Sequence, residues 1–461
     1  MSQKKLIHKI HLWKSKHTFL LIFSLFFLYS FRNAIFFPPR GSFDIGSHYR
    51  YAKILITEWR FPIPEESVHF HNPPLWYFIG SLSITISENL LKLNNWKQTI
   101  KIWQLINPIL TSLTLFYWLK MYQAIYPKKI KRWLFFSFFL FSLPILSKMT
   151  AMVSIEPLLL TLSSMALFVY LKFLINPNKR FLLVLGIILG LGLLSKITLF
   201  SLVLTFFIML IYLKIVQSLS ARTLIKNLAI FFLPIILFSG WFYTWKHYHY
   251  GILRPGGVEY SPKKQEASFY FDIPIRLMFT YPIRHYEVGR HLGRTFLPIM
   301  YTDFWGDYWN YYSQQRYGID IEYIRTIDRY KTTPERVKAL VAQSVINIPA
   351  TILMTAAFFW ACWITFKTII RRNYSVKNLF YLSLIVFFAL SSLGYLWFQS
   401  RSPKWTGSNV KPYHLLFVWP VPVFFATEAL FTITKNKTLL RSIILLFFIF
   451  TFIYNLVFTW F

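Results

Sequence analysis

Asp44 heads the one stretch of this chain where acids and histidines gather, Phe43 to Gly80, which reads FDIGSHYRYAKILITEWRFPIPEESVHFHNPPLWYFIG. The chain has 17 Asp and Glu in 461 residues against 50 Lys and Arg, so each carboxylate is worth explaining. A carboxylate at a membrane face can orient an attacking hydroxyl and take its proton. The same residue type caps helices well, and a helix-like segment starts at Asp44, so capping is the competing reading. Glu156, in Ser154-Ile155-Glu156-Pro157, stands at the end of an apolar run, where a carboxylate is costly unless used or paired. Its competing reading is a cap in a favourable helix dipole, with Pro157 at the first helical position. Lys196, in Leu194-Ser195-Lys196-Ile197, is a cation at a depth where it can hold a phosphate. It is equally a lysine that snorkels from a helix end. His48, His69 and His71 with Asp44 could form a metal set, but their spacing matches no standard zinc pattern, and no metal is expected.

Membrane helices must position these residues. The chain is 55% apolar and 20% aromatic, with apolar runs separated by short basic breaks. That is the pattern of a polytopic helical membrane protein. The hydropathy rule places about eleven spans, at roughly 18–37, 102–124, 133–147, 153–172, 181–195, 197–214, 227–245, 345–366, 379–398, 413–432 and 442–461. A net charge of +33 could suggest nucleic acid, but the cations cluster at the ends of apolar runs rather than forming a groove. Lys128, Lys129, Lys131 and Arg132 fill one break, and Lys179 and Arg180 the next. Lys214, Arg222 and Lys226 follow, then Lys367, Arg371, Arg372 and Lys377, then Lys435, Lys437 and Arg441. With the basic N-terminus these breaks make one cytoplasmic face. The segment Pro74 to Ile86 is apolar enough to pass for a span. Counting it as one would move every later basic break outside, so it reads as an interfacial or re-entrant helix. Asp44 and the histidines then share the outer face. The first apolar run is followed by Phe36-Phe37-Pro38-Pro39-Arg40 and no small-residue cleavage site, so it is expected to be a retained span. Cys362 is the single cysteine, so neither an intramolecular disulfide nor a Cys metal site is possible.

Within the first outer loop, Tyr51, Ala52, Leu55, Ile56 and Trp59 recur at helical spacing on one side, and Arg50, Lys53, Thr57 and Arg60 on the other. That predicts an amphipathic helix on a membrane surface. Pro62 and Pro64 break it, and Pro73-Pro74-Leu75-Trp76-Tyr77 follows. An acid after the first span and then a Pro-Pro-Leu-aromatic-aromatic segment resembles the first outer loop of GT-C membrane glycosyltransferases. The group it is most similar to is glycosyltransferase family 39, the protein O-mannosyltransferases and aminoarabinose transferases. The resemblance covers roughly residues 15 to 215. It implies that Asp44 is the general base and that Glu156 matches the acid of the second outer loop. It also makes Lys196 and Lys411 phosphate contacts. Lys411-Pro412-Tyr413-His414 looks like the Lys-x-Arg-Tyr that opens a late span in relatives, with Tyr413 and His414 in place of Arg-Tyr. Relatives carry a phosphate-binding lysine just before the Pro-Pro pair, where this chain has His71-Asn72. His71 when protonated, or Arg50 or Lys53, would have to substitute. His48 and Tyr413 are expected against substrate. Asp303 and Asp307, around Trp305-Gly306, could line an acceptor cleft beside sugar-stacking aromatics, or belong to a folded outer subdomain.

The expected fold is thus all-α, polytopic and GT-C-like. A catalytic module spans 1–245 with its outer loop at 38–101. An extracytoplasmic segment follows at 246–340, then C-terminal helices at 341–461. The resemblance implies an inverting transfer of a sugar from polyprenyl phosphate to a hydroxyl on a glycan, lipid or protein acceptor. No cofactor and no nucleic acid take part. The implied location is a bacterial plasma (inner) membrane, with the N-terminus cytoplasmic and the active site outside. A transporter or flippase of lipid-linked sugars is the alternative, but carriers place ionisable groups near the midplane of repeated halves, and no repeat is visible here.

Overall fold

The structure is a computed structural model that describes residues 3–93, 95–127, 129–218, 220–251, 267–280, 282–283, 295–309, 312, 334–401 and 410–460. Every regular element among them is helical. The N-terminal part contains α1 (Gln3–Phe36), α2 (Ile45–Thr57), α3 (Leu75–Thr85, extended by a π turn Ile86–Leu90), α4 (Trp96–Ile125), α5 (Ile130–Phe141) and α6 (Pro144–Ala151). Then come α7 (Glu156–Ile175), α8 (Lys179–Leu193), α9 (Phe200–Val216), α10 (Ala221–Ile235) and α11 (Trp241–Tyr250). Three short helices follow, α12 (Ala267–Phe271), α13 (Ile275–Thr280) and α14 (Phe296–Trp305). The chain ends with α15 (Pro334–Ile346), α16 (Ile348–Ile370), α17 (Val376–Arg401), a 3₁₀ turn at Pro412–Val418, α18 (Pro420–Ile433) and α19 (Thr438–Phe458). Lys128, about half of the expected extracytoplasmic segment (252–266, 284–294 and 313–333) and the expected outer loop at 402–409 lie outside the described residues.

Among the described residues, seven helices are long and apolar enough to cross a membrane, or up to nine if two bent pairs are each one span. The all-α polytopic class expected from hydropathy is the class observed. The expected runs 133–147 and 413–432 are the bent pairs. α5 and α6 meet at 63°, and the 3₁₀ turn and α18 meet at 61°. Pro144 and Pro420 each stand at the first position of the second piece, where a proline starts a helix but cannot continue one. Two further expected spans are helical but fall outside that count. α8 has only 15 residues, and α4 carries Lys101, Gln104, Asn107 and Lys120.

Those polar residues of α4 hold the loops around the site. Lys101 Nζ donates to the carbonyls of Ala34, Ile35 and Phe37 at 3.0, 3.0 and 2.7 Å, satisfying the end of α1. Gln104 Nε2 donates to Phe37 O at 3.0 Å and also to Ala151 O. Asn107 Nδ2 donates to Met152 O at 2.6 Å. Val153 N donates to Ser42 Oγ at 2.8 Å, joining the loop before Asp44 to the loop before Glu156. α8 packs closely on α10: a Cβ on Gly186 would overlap the Phe231 carbonyl, and one on Gly190 would sit 2.9 Å from Phe238 Cβ.

The expected first outer loop, 38–101, departs from the sequence reading in one respect. Of the apolar side expected for α2, Tyr51, Ala52 and Leu55 are buried, Ile56 is half-buried and Trp59 is exposed; Ile54 is buried as well, and the helix packs on α3. Ser81 Oγ donates to Ala52 O at 2.7 Å across that contact. Hydrophobic spacing cannot distinguish a protein neighbour from lipid. Trp59 lies beyond the helix, 89% exposed and with φ of 54°.

Candidate active site

Asp44 occupies the N-cap position of α2 without capping it. Its backbone is left-handed, at φ 50° and ψ 29°, and its side chain makes no cap hydrogen bond. An effective cap has extended backbone, which turns the side-chain oxygen back over the first helical N–H groups. Left-handed backbone is unusual for a residue with a Cβ, although Asp tolerates it. The carboxylate is exposed and has no hydrogen-bond or ion-pair partner among the described residues. The capping reading therefore accounts for neither the backbone nor the side chain.

Beside Asp44 stands a wall of imidazoles from α2 and the loop before α3. His48 and His69 stack with ring centroids 4.0 Å apart and 12° between planes. His48 Nδ1 lies 3.1 Å from Tyr77 Oη. Asn72 Nδ2 donates to Tyr77 Oη at 3.1 Å and contacts His69 Nδ1 at 3.2 Å. Burial lowers the His48 pKa to about 3, with Lys196 adding to the effect. Burial, then Lys246, then Lys196 lower that of His71 to about 4. Burial holds His69 well below its ordinary value, against an opposing pull from the Asp44 charge. Burial thus works against the protonated His71 that the sequence offered as a substitute phosphate cation. His69 Nε2 and His71 Nδ1 are buried without a hydrogen-bond partner among the described residues. Leaving such a group unmade costs about 1–3 kcal/mol.

Across from this wall, Lys196 Nζ is 2.5 Å from Glu156 Oε1 and 3.4 Å from His414 Nδ1. The Glu156 side chain is 2% exposed and that of Lys196 19%. His414 Nδ1 lies 3.8 Å from the same Glu156 oxygen. Leu75 N donates to Leu194 O at 3.0 Å, fastening the Pro73-Pro74-Leu75 turn beside Lys196. Lys411 Nζ stands 5.0 Å from the Phe43 ring centre and 5.6 Å from that of Tyr413, and those two rings are 5.0 Å apart. Because Phe43 precedes Asp44, this contact brings the late Lys411-Pro412-Tyr413 segment to the acid.

The structure therefore gathers Asp44, His48, His71, Glu156, Lys196, Lys411 and Tyr413. Arg50 is elsewhere: it lies on the exposed side of α2 and donates to Glu66 O at 3.3 Å. Lys53 is held by Glu88 at 2.7 Å. Asp303 and Asp307 are buried with Lys148, at 3.3 and 3.8 Å, and Asp307 also meets Arg336 at 3.8 Å. Lys148 Nζ further donates to Asp303 O and Gly306 O, so these groups fasten α14 to α6. Sequence reasoning considered His69 only as part of a metal set, and missed Asn72 and Lys246 as members of the site. Lys246, a buried lysine near the end of α11, was the one with a readable signal. Among the described residues, no group of three or more His, Cys, Asp or Glu side chains is placed to hold a metal ion.

Among models of known protein families and among curated proteins, none matches the sequence. Among solved structures, the fold is similar to the crystal structure of the Archaeoglobus fulgidus oligosaccharyltransferase in complex with zinc and sulfate. The TM-score is 0.52 at 13% identity, over 95% of this chain and 53% of that chain. The chain thus spans about half the length of that protein. At this identity the likeness is one of fold: an all-α, polytopic, GT-C-like membrane protein.

Proposed function

We propose that this chain is a membrane glycosyltransferase that moves a sugar from a polyprenyl-phosphate donor to a hydroxyl acceptor, with inversion and with Asp44 as general base. The observation that carries the reading is the Asp44 carboxylate, exposed and without a partner among the described residues, next to a site lined by lysines. The acceptor O–H gives its proton to Asp44. Its oxygen attacks the anomeric carbon from the side opposite the phosphate. The bond from that carbon to the phosphate oxygen breaks, and its electron pair leaves on polyprenyl phosphate. Lys196 and Lys411 hold the charge that grows there. Glu156 is buried and bound to Lys196, so its carboxylate is engaged by that lysine rather than free to take the proton.

The oligosaccharyltransferase activity named for the structural neighbour supports the general reaction class. The acid, the Pro-Pro-Leu-aromatic-aromatic turn and Lys196 support the likeness to family 39. A lipid-linked donor is supported by an apolar cavity of about 530 Å³ lined by Phe296, Tyr301, Trp305, Phe358 and Trp419. The Phe296 ring lies 6.0 Å from Tyr395, whose ring lies 6.0 Å from His414. The zinc of the neighbour's complex finds no matching ligand set among the described residues here, and Glu156 is already bound to Lys196. No step is therefore assigned to a metal.

The test is Asp44→Asn, assayed as purified protein in detergent with a polyprenyl-phosphate sugar and cell-envelope acceptor. Asn keeps the shape and tolerates left-handed backbone. Normal expression with transfer reduced by roughly 10²–10⁴-fold is expected, the usual contribution of a positioned base. Wild-type turnover would end the case for Asp44.

A further inference from the structure

We infer that His69 and His71, with the Asn72 amide that orients His69, form the sugar-recognising wall of this site, and that the sugar they take carries hydroxyls and no amine. The inference rests on the reading above, in which the ligand is a polyprenyl-phosphate sugar. It starts from a hydrogen-bond count. The Asn72 amide nitrogen donates to Tyr77 Oη and faces His69 Nδ1 at 3.2 Å. An amide nitrogen has no lone pair to offer, so His69 Nδ1 accepts and the ring proton sits on Nε2. That Nε2–H is buried and has no acceptor among the described residues. His71 Nδ1, two residues on, is likewise buried and unmet. Buried polar groups in native proteins are nearly always paired, so two unmet nitrogens in one short loop mark a place for a polar ligand or water.

The position of the loop favours the ligand. His69 feels the charges of both Asp44 and Lys196, and His71 that of Lys196. The loop ends in the Pro73-Pro74-Leu75 turn that is fastened beside Lys196. A group that lies near both the base and the phosphate-holding lysine is where the sugar ring belongs in an in-line displacement. The chemistry of the wall then selects the sugar. An uncharged imidazole donates from one nitrogen and accepts at the other, which matches hydroxyls. The unmet His69 Nε2–H needs an acceptor, which a hydroxyl supplies and an ammonium, a donor only, does not.

The experiment is direct binding to the full-length protein in lipid nanodiscs, with three probes: polyprenyl phosphate alone, the same lipid bearing a neutral hexose, and the same lipid bearing an amino sugar. Wild type is expected to bind the hexose lipid roughly tenfold more tightly than the bare lipid, the worth of one or two neutral hydrogen bonds. It should show no such gain for the amino sugar. His69→Ala should erase the gain and leave bare-lipid binding in place, while His69→Gln, which keeps a donor, retains part of it. A gain that survives His69→Ala overturns the inference and leaves the donor reading intact. So does an equal loss for bare and sugar-bearing lipid, the mark of water-satisfied histidines with a structural role only. A wild type that prefers the amino sugar overturns it as well. A wild type that binds none of the three lipids removes the donor reading itself, and the wall with it.

Discussion

Glu156→Gln separates the two roles a buried acid can play in this site. The variant keeps the size of the side chain and removes its charge. In the structure Glu156 Oε1 is 2.5 Å from Lys196 Nζ, and the acid is 2% exposed. At an effective dielectric of about 20, unit charges that close attract by roughly 6–7 kcal/mol before desolvation. Removing one partner of a buried pair costs about 3–5 kcal/mol, because the other charge is left uncompensated. Lys196 is still 19% exposed, so water recovers part of that, and a loss near 3 kcal/mol is expected. The same change frees Lys196 for the donor phosphate, since no carboxylate competes for it. Donor affinity should therefore rise by roughly tenfold, about 1.4 kcal/mol, while stability falls. Adding Lys196→Met to Glu156→Gln should recover most of the stability and lose the affinity, because removing both partners of a buried pair is often near neutral. The assays are a denaturation midpoint in detergent and the donor KM. If Glu156→Gln leaves stability unchanged and lowers transfer by 10²-fold or more, Glu156 is the base and the assignment of Asp44 fails.

Three further tests address the surroundings. His48 and His71 titrate at about 3 and about 4 in the folded protein, against 6.5 ordinarily. Between those limits the unfolded chain binds more protons, so stability should fall as pH drops from about 6.5 towards 4, and His71→Gln should flatten the fall. The groups acting on these rings are Lys196 for all three histidines, Lys246 for His71, and Asp44 and the neighbouring histidines for His69, so a denaturation midpoint measured against pH reads them together. Lys148→Met leaves Asp303 and Asp307 buried without their ammonium, and should lower the denaturation midpoint by the equivalent of about 3–5 kcal/mol with little change in donor KM. For topology, cysteines introduced by Tyr374→Cys and Lys437→Cys should resist an impermeant reagent in intact cells, while Lys264→Cys, outside the described residues, should react; the opposite pattern would put Asp44 on the wrong side of the membrane.

Much of this was legible in the sequence because charge is rare in an apolar chain. Asp44, Glu156, Lys196 and Lys411 stand out singly, and the structure gathers them from four distant segments. The close packing of α8 was legible in Gly186 and Gly190. The bends were not, because a hydropathy window sums over Pro144 and Pro420 without registering direction. Nor was the partner of Glu156, which lies 40 residues away, since spacing along a chain says nothing about pairing across a fold. His69 and Asn72 were hidden for a related reason. Their significance lies in which nitrogen carries a proton, and that follows from the contact between them. Three of the five residues read as the apolar side of α2 are buried, but their protein neighbour was not legible, because α3 and lipid are equally apolar.

One helix explains why an irregular site is tolerated at this depth. Backbone outside helices has unmet N–H and C=O groups, and lipid satisfies none of them. The loops that carry Asp44 and Glu156 start at the ends of α1 and α6, where carbonyls are orphaned by necessity. α4 meets these carbonyls with side chains: Lys101 and Gln104 at Phe37, Gln104 again at Ala151, and Asn107 at Met152. Thr111 completes the row against Thr150 at 3.0 Å. Residues 101, 104, 107 and 111 recur at the spacing of one helix face, so a single polar stripe does the work. That stripe is also why α4 falls short of the apolarity of the other long helices. Its polarity is therefore part of how the two loops that carry the acids are held.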